Sequence, residues 1–278
     1  MRSHSIRTAD DLQLHVTDHG QTDGQAVVLV HGWPDTHVVW DHQIEVLSDA
    51  GFRVIAHDQR GFGESDRPPA VEGSHVFRAM ADLGTIMDSL EIEAAHLVGH
   101  DWGAPPCWLA ATLVPDRVRS LTAVSVGHPT AFKIAGLEQL QRSFYMLLFQ
   151  FEDVAEQWLR SADWANFRAL LGDTADTQDR IEALSADGAL TASLNWYRAN
   201  VAPQTLIEEP VELAPVTVPT MGIMGRRDFA LTPKQMQDSE HYVSGAWRYE
   251  MIEDAAHWVQ RDQPEVFNDL LLNFWSTV

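Results

Sequence analysis

The stretch Ala95-His96-Leu97-Val98-Gly99-His100-Asp101-Trp102-Gly103 decides the fold of this chain. Its first four residues form a short, largely apolar run, which is typical of a strand buried on both faces of a sheet. The five residues that follow place a carboxylate between two glycines, directly before the helix-like stretch Ala104–Leu113. A strand, a tight glycine-flanked turn and a helix in this order predict a strained turn that presents its middle side chain. Asp101 is therefore our candidate nucleophile, and its covalent adduct with carbon would be an alkyl ester.

Short apolar segments and helix-like segments alternate on both sides of this turn. The strand-like segments are Ala26–Val30, Arg53–Ala56, Ala95–Val98, Leu121–Val126, Met221–Met224 and Arg248–Ile252. The helix-like segments are Val38–Ala50, Val76–Leu90, Ala104–Leu113 and Pro264–Trp275. Such alternation predicts a doubly wound α/β fold with a mostly parallel central sheet flanked by helices.

One long region interrupts the alternation. Between Thr130 and Glu209 no strand signal is present, while leucine and aromatic residues recur at helical spacing. We interpret residues 130–210 as a helical cap inserted into a core made of residues 1–129 and 211–278. An insertion that follows the carboxyl end of a strand would cover the crevice where open α/β sheets bind ligands.

An ester on Asp101 must be cleaved by activated water, so the site needs a base. His257 lies between the last strand-like segment and the last helix, where this fold places its base. Asp228 follows the preceding strand and suits the acid that orients the imidazole and stabilises its charged form. Along the chain the order is therefore nucleophile, acid and base, which is the order that this fold requires.

The segment His31-Gly32-Trp33-Pro34 directly follows the strand Ala26–Val30. The backbone N–H groups of Trp33 and Trp102 could together stabilise an oxyanion. The polar loop Asp58–Ser65 also follows a strand, and we interpret it as scaffold.

Composition excludes several classes of function. The 278 residues include 45% hydrophobic residues, enough for a full core, and a single cysteine, Cys107, which we expect to be buried. The formal net charge of −21 disfavours nucleic acid and anionic membranes as partners. The first residues lack the apolar run of a secretory signal, and no later stretch has the length of a membrane span, so we expect a cytoplasmic protein.

Taken in order, the segments His31–Pro34, Asp58–Ser65, Gly99–Gly103, Asp228 and Ala256–Trp258 resemble the epoxide hydrolases of the α/β-hydrolase superfamily. The resemblance covers nearly the whole chain. It implies an α/β-hydrolase fold, conversion of a small epoxide and water to a vicinal diol, and no metal or organic cofactor.

The resemblance also implies further site residues. In these enzymes two cap tyrosines protonate the epoxide oxygen, and Tyr145 and Tyr197 lie in similar sequence contexts. We expect the substrate pocket to include Trp33, Trp102, His128, Phe149 and Trp258.

Three alternatives remain open at this point. Haloalkane dehalogenases share the aspartate turn and use indole N–H groups to bind halide, a role that Trp102 could fill, although Trp33 replaces the asparagine that many of them carry. A binding protein that uses the same pocket without turnover is a second alternative. An ordinary esterase is disfavoured, because carboxylate attack on an ester gives an anhydride. The sequence is compatible with a homodimer and does not decide the oligomeric state.

Overall fold

The computed structural model describes residues 1–172, 174–210 and 212–278 and contains one sheet of eight strands. The strands are β1 (Arg2–Arg7), β2 (Gln13–Gly20), β3 (Ala26–Val30), β4 (Arg53–His57), β5 (Ala95–His100), β6 (Val118–Val124), β7 (Thr220–Gly225) and β8 (Trp247–Ile252). Their order across the sheet is β1-β2-β4-β3-β5-β6-β7-β8. The pairs β1–β2 and β2–β4 are antiparallel, and all the other pairs are parallel.

Twelve α-helices accompany the sheet in the described part of the chain. They are α1 (Asp41–Asp49), α2 (Val76–Ser89), α3 (Ala104–Leu113), α4 (Pro129–Lys133), α5 (Leu137–Arg142), α6 (Phe144–Leu148), α7 (Val154–Leu171), α8 (Thr177–Ser185), α9 (Ala189–Asn200), α10 (Pro233–Gln237), α11 (Val259–Asp262) and α12 (Pro264–Trp275). Helices α1, α11 and α12 contact one another, and α2 contacts α3. Every residue of β3 and β5 is buried, because helices cover both faces of the sheet.

The predicted mostly parallel sheet flanked by helices is confirmed. The structure adds β1 and β2, which the sequence analysis did not predict. In β2 the polar residues Thr17 and Asp18 are buried beside apolar neighbours, so no clean alternation of apolar and polar residues marks the strand. Asp18 is accommodated because Arg2 and Arg53 both donate hydrogen bonds to its carboxylate.

Helices α4 to α9 all lie between β6 and β7 in the chain. Helix α7 is interrupted at residues 161–164, where three successive residues have positive φ. The boundary expected at residue 211 lies outside the described residues. No helix of residues 1–172, 174–210 and 212–278 combines the length and the hydropathy needed to cross a bilayer.

Candidate active site

The turn at Asp101 joins the end of β5 to α3 and has the strained backbone that its sequence predicts. Asp101 has a φ of +50°, a conformation that costs a non-glycine residue about 1–2 kcal/mol. A Cβ atom at Gly103 would overlap the backbone carbonyl of Val30, so this position needs glycine for the helix to pack against β3. Gly32 likewise lies against the Asp101 side chain, and a Cβ atom there would overlap it. The turn therefore presents the Asp101 carboxylate directly beside the loop that follows β3.

The two carboxylate oxygens of Asp101 have different surroundings. Oδ1 accepts a 2.8 Å hydrogen bond from the backbone N–H of Trp33, and Oδ2 lies 3.6 Å from Nε2 of His257. Burial of Asp101 favours the neutral acid, but the nearby positive charge of His257 and the N–H of Trp102 outweigh burial and lower the pKa of Asp101. Asp101 is thus a buried, ionised carboxylate with one oxygen held by the backbone and the other facing a histidine.

His257 lies between two carboxylates. Its Nδ1 donates a 2.9 Å hydrogen bond to Oδ2 of Asp228, whose Oδ1 accepts the backbone N–H groups of Ala230 and Leu231 at 2.8 and 3.0 Å. Burial of the imidazole lowers its pKa, but Asp228 and Asp101 outweigh burial and raise the pKa of His257 to about 10. The ring is therefore protonated at neutral pH as long as both carboxylates are ionised.

Two side chains that the sequence analysis did not consider hold the backbone of His257. The carbonyl oxygen of His257 accepts a 3.0 Å hydrogen bond from Nε2 of His100 and a 2.9 Å hydrogen bond from Oγ of Ser125. Burial and the charge of His257 lower the pKa of His100 to about 4, so this ring stays neutral. Ser125 directly follows β6, and a polar residue at the carboxyl end of a strand is the sequence signal that could have identified it.

Tyr145 of α6 and Tyr197 of α9 are brought to the same place. Both are almost completely buried, and their ring centroids lie 6.0 Å apart. Burial, and after it the charge of Asp101, raises the pKa of Tyr145; burial, Tyr145 and Asp101 raise that of Tyr197. Both phenols therefore keep their protons and can donate hydrogen bonds.

These residues enclose a cavity that reaches Asp101. It is lined by Trp33, Asp101, Tyr145, Leu170, Leu171, Tyr197, Phe229, Ala230, His257 and Trp258. The cavity volume is about 10 Å³, which is close to the room that one water molecule needs. An organic substrate can bind only after the side chains that line the cavity, or the helices that carry them, shift.

The other expected pocket residues lie at different depths. Trp33 and Trp258 line the cavity, whereas Phe149 lies behind the tyrosines, with its ring centroid 5.4 Å from Tyr145 and 5.0 Å from Tyr197. Trp102 also lies behind the lining, with its ring perpendicular to that of Tyr197 at 5.1 Å.

His128 is not brought to the cavity. Its ring stacks on Tyr242 at 4.4 Å and contacts Trp108, and its Nδ1 caps the start of α4. The family resemblance suggested this residue as part of the pocket, but its ring packs against Tyr242 and Trp108 instead.

Four lining residues were not predicted. Phe229 and Ala230 follow Asp228 directly, so their place beside the acid was a usable signal. Leu170 and Leu171 belong to the apolar pattern of the insertion, and only the packing of α7 shows that they face Asp101.

A separate cluster in the described residues has side chains of the kind that bind metal ions. One possible ligand atom each from His15, His37 and Asp58 lies within 4.8 Å of the others. The Asp58 carboxylate, however, lies 3.2 and 2.8 Å from Nδ1 of these two rings and also accepts the backbone N–H groups of His37 and Glu64. Its oxygens are already satisfied by hydrogen bonds, and the cluster lies outside the cavity.

Comparisons with known proteins agree with this architecture. Residues 25–264 match the family model for the alpha/beta hydrolase fold. The chain is 33% identical to the AB hydrolase superfamily protein YfhM of Bacillus subtilis over 95% of this chain and 94% of that protein. It is 30% identical to epoxide hydrolase A of Mycobacterium tuberculosis over the same shares. A solved structure of the Bacillus megaterium epoxide hydrolase with an inhibitor is 26% identical, with a TM-score of 0.87 over 99% of this chain and 100% of that chain.

Proposed function

The chain belongs to the α/β-hydrolase superfamily, among the epoxide hydrolases, and is a hydrolase; from this premise we propose that it converts an epoxide to a vicinal diol through an ester on Asp101. The observation that carries the proposal is the unequal environment of the Asp101 carboxylate. Oδ1 is held by the N–H of Trp33, while Oδ2 faces His257. One oxygen is thus free to attack carbon, and the other is already placed where an oxyanion would develop.

In the first half of the reaction Oδ2 of Asp101 attacks an epoxide carbon and the C–O bond of the ring breaks. Tyr145 and Tyr197 donate to the leaving oxygen, and one of them transfers its proton to it. The products are a hydroxyalkyl ester and a phenolate. No metal is required, because the phenols supply the acid.

In the second half His257 takes a proton from water, which attacks Cγ of Asp101. The N–H groups of Trp33 and Trp102 stabilise the oxyanion on Oδ1. When the ester bond to Oδ2 breaks, the imidazolium returns its proton to the diol. The released Asp101 carboxylic acid carries the second proton of the water. It gives this proton to the phenolate and so restores the phenol.

Esterification itself prepares His257 for this step. The pKa of His257 is high because two carboxylates face the ring. The ester removes the charge of Asp101 and leaves only Asp228, so the pKa of His257 falls and the imidazolium releases its proton to solvent before it acts as the base. It regains a proton from solvent when the Asp101 carboxylate is restored. The nucleophile therefore controls when the base is active.

We propose that residues 130–210 act as a helical cap over this site. Tyr145 and Tyr197 both come from this segment and line the cavity with Asp101. The cap would supply the acid, whereas the sheet supplies the nucleophile and base.

The indole N–H groups near the site argue against haloalkane dehalogenation. Trp33 donates its indole N–H to Ser193, and Trp258 donates its indole N–H to Asp35. The Trp102 ring packs edge-on against Tyr197 behind the cavity lining. The two indole N–H groups that line the cavity therefore already have protein acceptors, and Trp102 does not line it.

Single-turnover labelling tests the covalent mechanism. In heavy-oxygen water, label is expected in the Asp101 carboxylate before it enters the diol, because water attacks Cγ rather than the epoxide. Mass spectrometry of the Asp101 peptide and of the diol measures the label in each. Label that enters the diol in the first turnover would rule out the ester.

The paired variant Tyr145→Phe plus Tyr197→Phe tests the choice of substrate. It should lower diol formation by about 10²–10⁴-fold, because the alkoxide loses its acid. Halide is a good leaving group and needs no proton, so release of halide from haloalkanes that survives in this variant would instead support a dehalogenase. A wild-type protein that binds epoxides without forming diol would support a binding protein.

A further inference from the structure

The turn after β3 contains a second buried carboxylate, Asp35, that the proposed reaction does not use. The backbone N–H of Asp35 donates to the carbonyl of Gly32 at 3.0 Å, which closes the turn around Trp33. Trp33 in turn donates its N–H to Asp101. The position of Asp35 and the direction of the Trp33 N–H are therefore set by the same turn.

The two oxygens of Asp35 bind partners from two other parts of the molecule. Oδ2 accepts a 2.7 Å hydrogen bond from the indole N–H of Trp258, the residue after His257. Oδ1 accepts a 2.7 Å hydrogen bond from Nε of Arg180, which belongs to α8. The Arg180 guanidinium also lies over the Trp258 ring, 4.0 Å from its centroid. One carboxylate thus links the oxyanion turn, the segment that carries the base and a helix of the insertion.

Stability alone does not account for this ion pair. Both Asp35 and Arg180 are only 5% exposed, so the loss of hydration offsets most of the attraction between the charges. Charge-assisted hydrogen bonds are, however, directional and short, and they fix the relative positions of groups better than apolar contacts do. The arrangement is suited to hold the Trp33 donor and the His257 segment in register.

We infer that Arg180 is a positioning residue which, through Asp35 and Trp258, aligns the oxyanion donor with the base for hydrolysis of the ester. The inference rests on the proposed function, because it assigns Arg180 to the second half of that reaction. Helix α8 would then help to align the groups that hydrolyse the ester, in addition to covering the site.

This role has a kinetic signature that simple docking of α8 does not share. If only ester hydrolysis slows, kcat and KM fall together and kcat/KM changes little, since kcat/KM reports formation of the ester. If α8 merely loosens, substrate binding weakens and KM rises. The split between kcat and KM therefore separates the two roles.

The main variant is Arg180→Met, which keeps an unbranched, flexible stem but removes the guanidinium and its charge. Hydrolysis of the isolated ester in a single turnover is expected to slow by about 10–100-fold, as for a misplaced catalytic group. The ester on the Asp101 peptide should accumulate and be visible by mass spectrometry after acid quench.

A matched control is available just before the same helix. Asp176 precedes α8 and pairs with Arg261 of α11 at 2.8 Å, in a more exposed position. Asp176→Asn removes this neighbouring link without touching Asp35 or Trp258, and it should leave ester hydrolysis within about twofold of the wild type.

Arg180→Met leaves Asp35 buried without its partner and could for that reason unfold the protein. The double variant Asp35→Asn plus Arg180→Met removes the unpaired charge and keeps an acceptor for Trp258. It should fold and show the same slow hydrolysis as the single variant.

The outcomes separate the inference from the function on which it rests. Unchanged ester hydrolysis in the folded double variant, or a raised KM at constant kcat, would overturn the role of Arg180. Failure to find any ester on Asp101 in the wild type and in His257→Gln would instead overturn the proposed function.

Discussion

At the scale of single residues, the electrostatic interaction between the Asp101 carboxylate and the His257 imidazolium dominates the candidate site. Because the two side chains are buried and lie 3.6 Å apart, His257 lowers the pKa of Asp101 and Asp101 raises the pKa of His257. Their protonation is therefore a property of the pair, and a change at one residue must appear at the other.

Asp101→Asn is expected to abolish diol formation and to lower the pKa of His257 from about 10, because one of its two carboxylate neighbours becomes neutral. An NMR titration of the His257 imidazole measures the shift. Asp254→Asn serves as the control, since Asp254 is exposed and only three residues away in sequence. An unchanged His257 pKa in Asp101→Asn would contradict the coupling.

Sequence reasoning was informative for residues whose role follows from their place on a strand. Asp101, Asp228 and His257 each follow a strand, and the structure brings all three together. Sequence reasoning could not distinguish these site residues from His128, which also follows a strand closely but packs on Tyr242 outside the cavity. Side-chain direction beyond a strand end depends on loop geometry that a single sequence does not specify.

At the scale of elements, the close packing of the turn before α3 against β3 holds the site together. This approach depends on Gly103, where any side chain would meet the Val30 carbonyl. The helix Ala104–Leu113 was predicted with its observed bounds. The close contact at the start of this helix could not be predicted, because it involves β3, which is far away in the sequence.

Two glycine substitutions with opposite expected effects test this packing. Gly103→Ala should lower the free energy of unfolding by about 1–3 kcal/mol, because the new methyl group overlaps backbone. Gly84→Ala within α2 meets open space and should raise it by about 0.5–1 kcal/mol through helix propensity. Urea unfolding measures both. A Gly103→Ala protein as stable as the wild type would show that β3 and α3 have room to separate.

At the scale of the whole molecule, buried histidines determine how stability depends on pH. Burial lowers the pKa of five of them, including His31: the pKa of His57 falls to about 3, and those of His96, His100 and His128 to about 4. As pH falls below the ordinary value of 6.5, the unfolded chain takes up protons that the folded protein refuses, so stability falls between about pH 6.5 and 4. Each histidine contributes at most about 1.4 kcal/mol per pH unit.

His257 has the opposite effect at alkaline pH. Because its folded pKa is about 10, the folded protein keeps a proton that the unfolded chain loses near 6.5, and this stabilisation is lost as pH rises towards 10. Stability should therefore be greatest near neutral pH. Thermal unfolding from pH 4 to 10 measures the curve, and His257→Gln should flatten its alkaline side only. A melting temperature that stays constant from pH 6.5 to 4.5 would be inconsistent with these neutral buried rings.

The small volume of the cavity limits how fast a ligand can associate. A site with room for about one water molecule can bind an organic ligand only while the lining side chains, or the helices that carry them, are displaced. The measured affinity is then the intrinsic affinity reduced by the open fraction. With increasing ligand concentration, the observed association rate should level off at the rate of opening instead of rising linearly. Small and large epoxides would then share one limiting rate, set by the protein and not by the ligand.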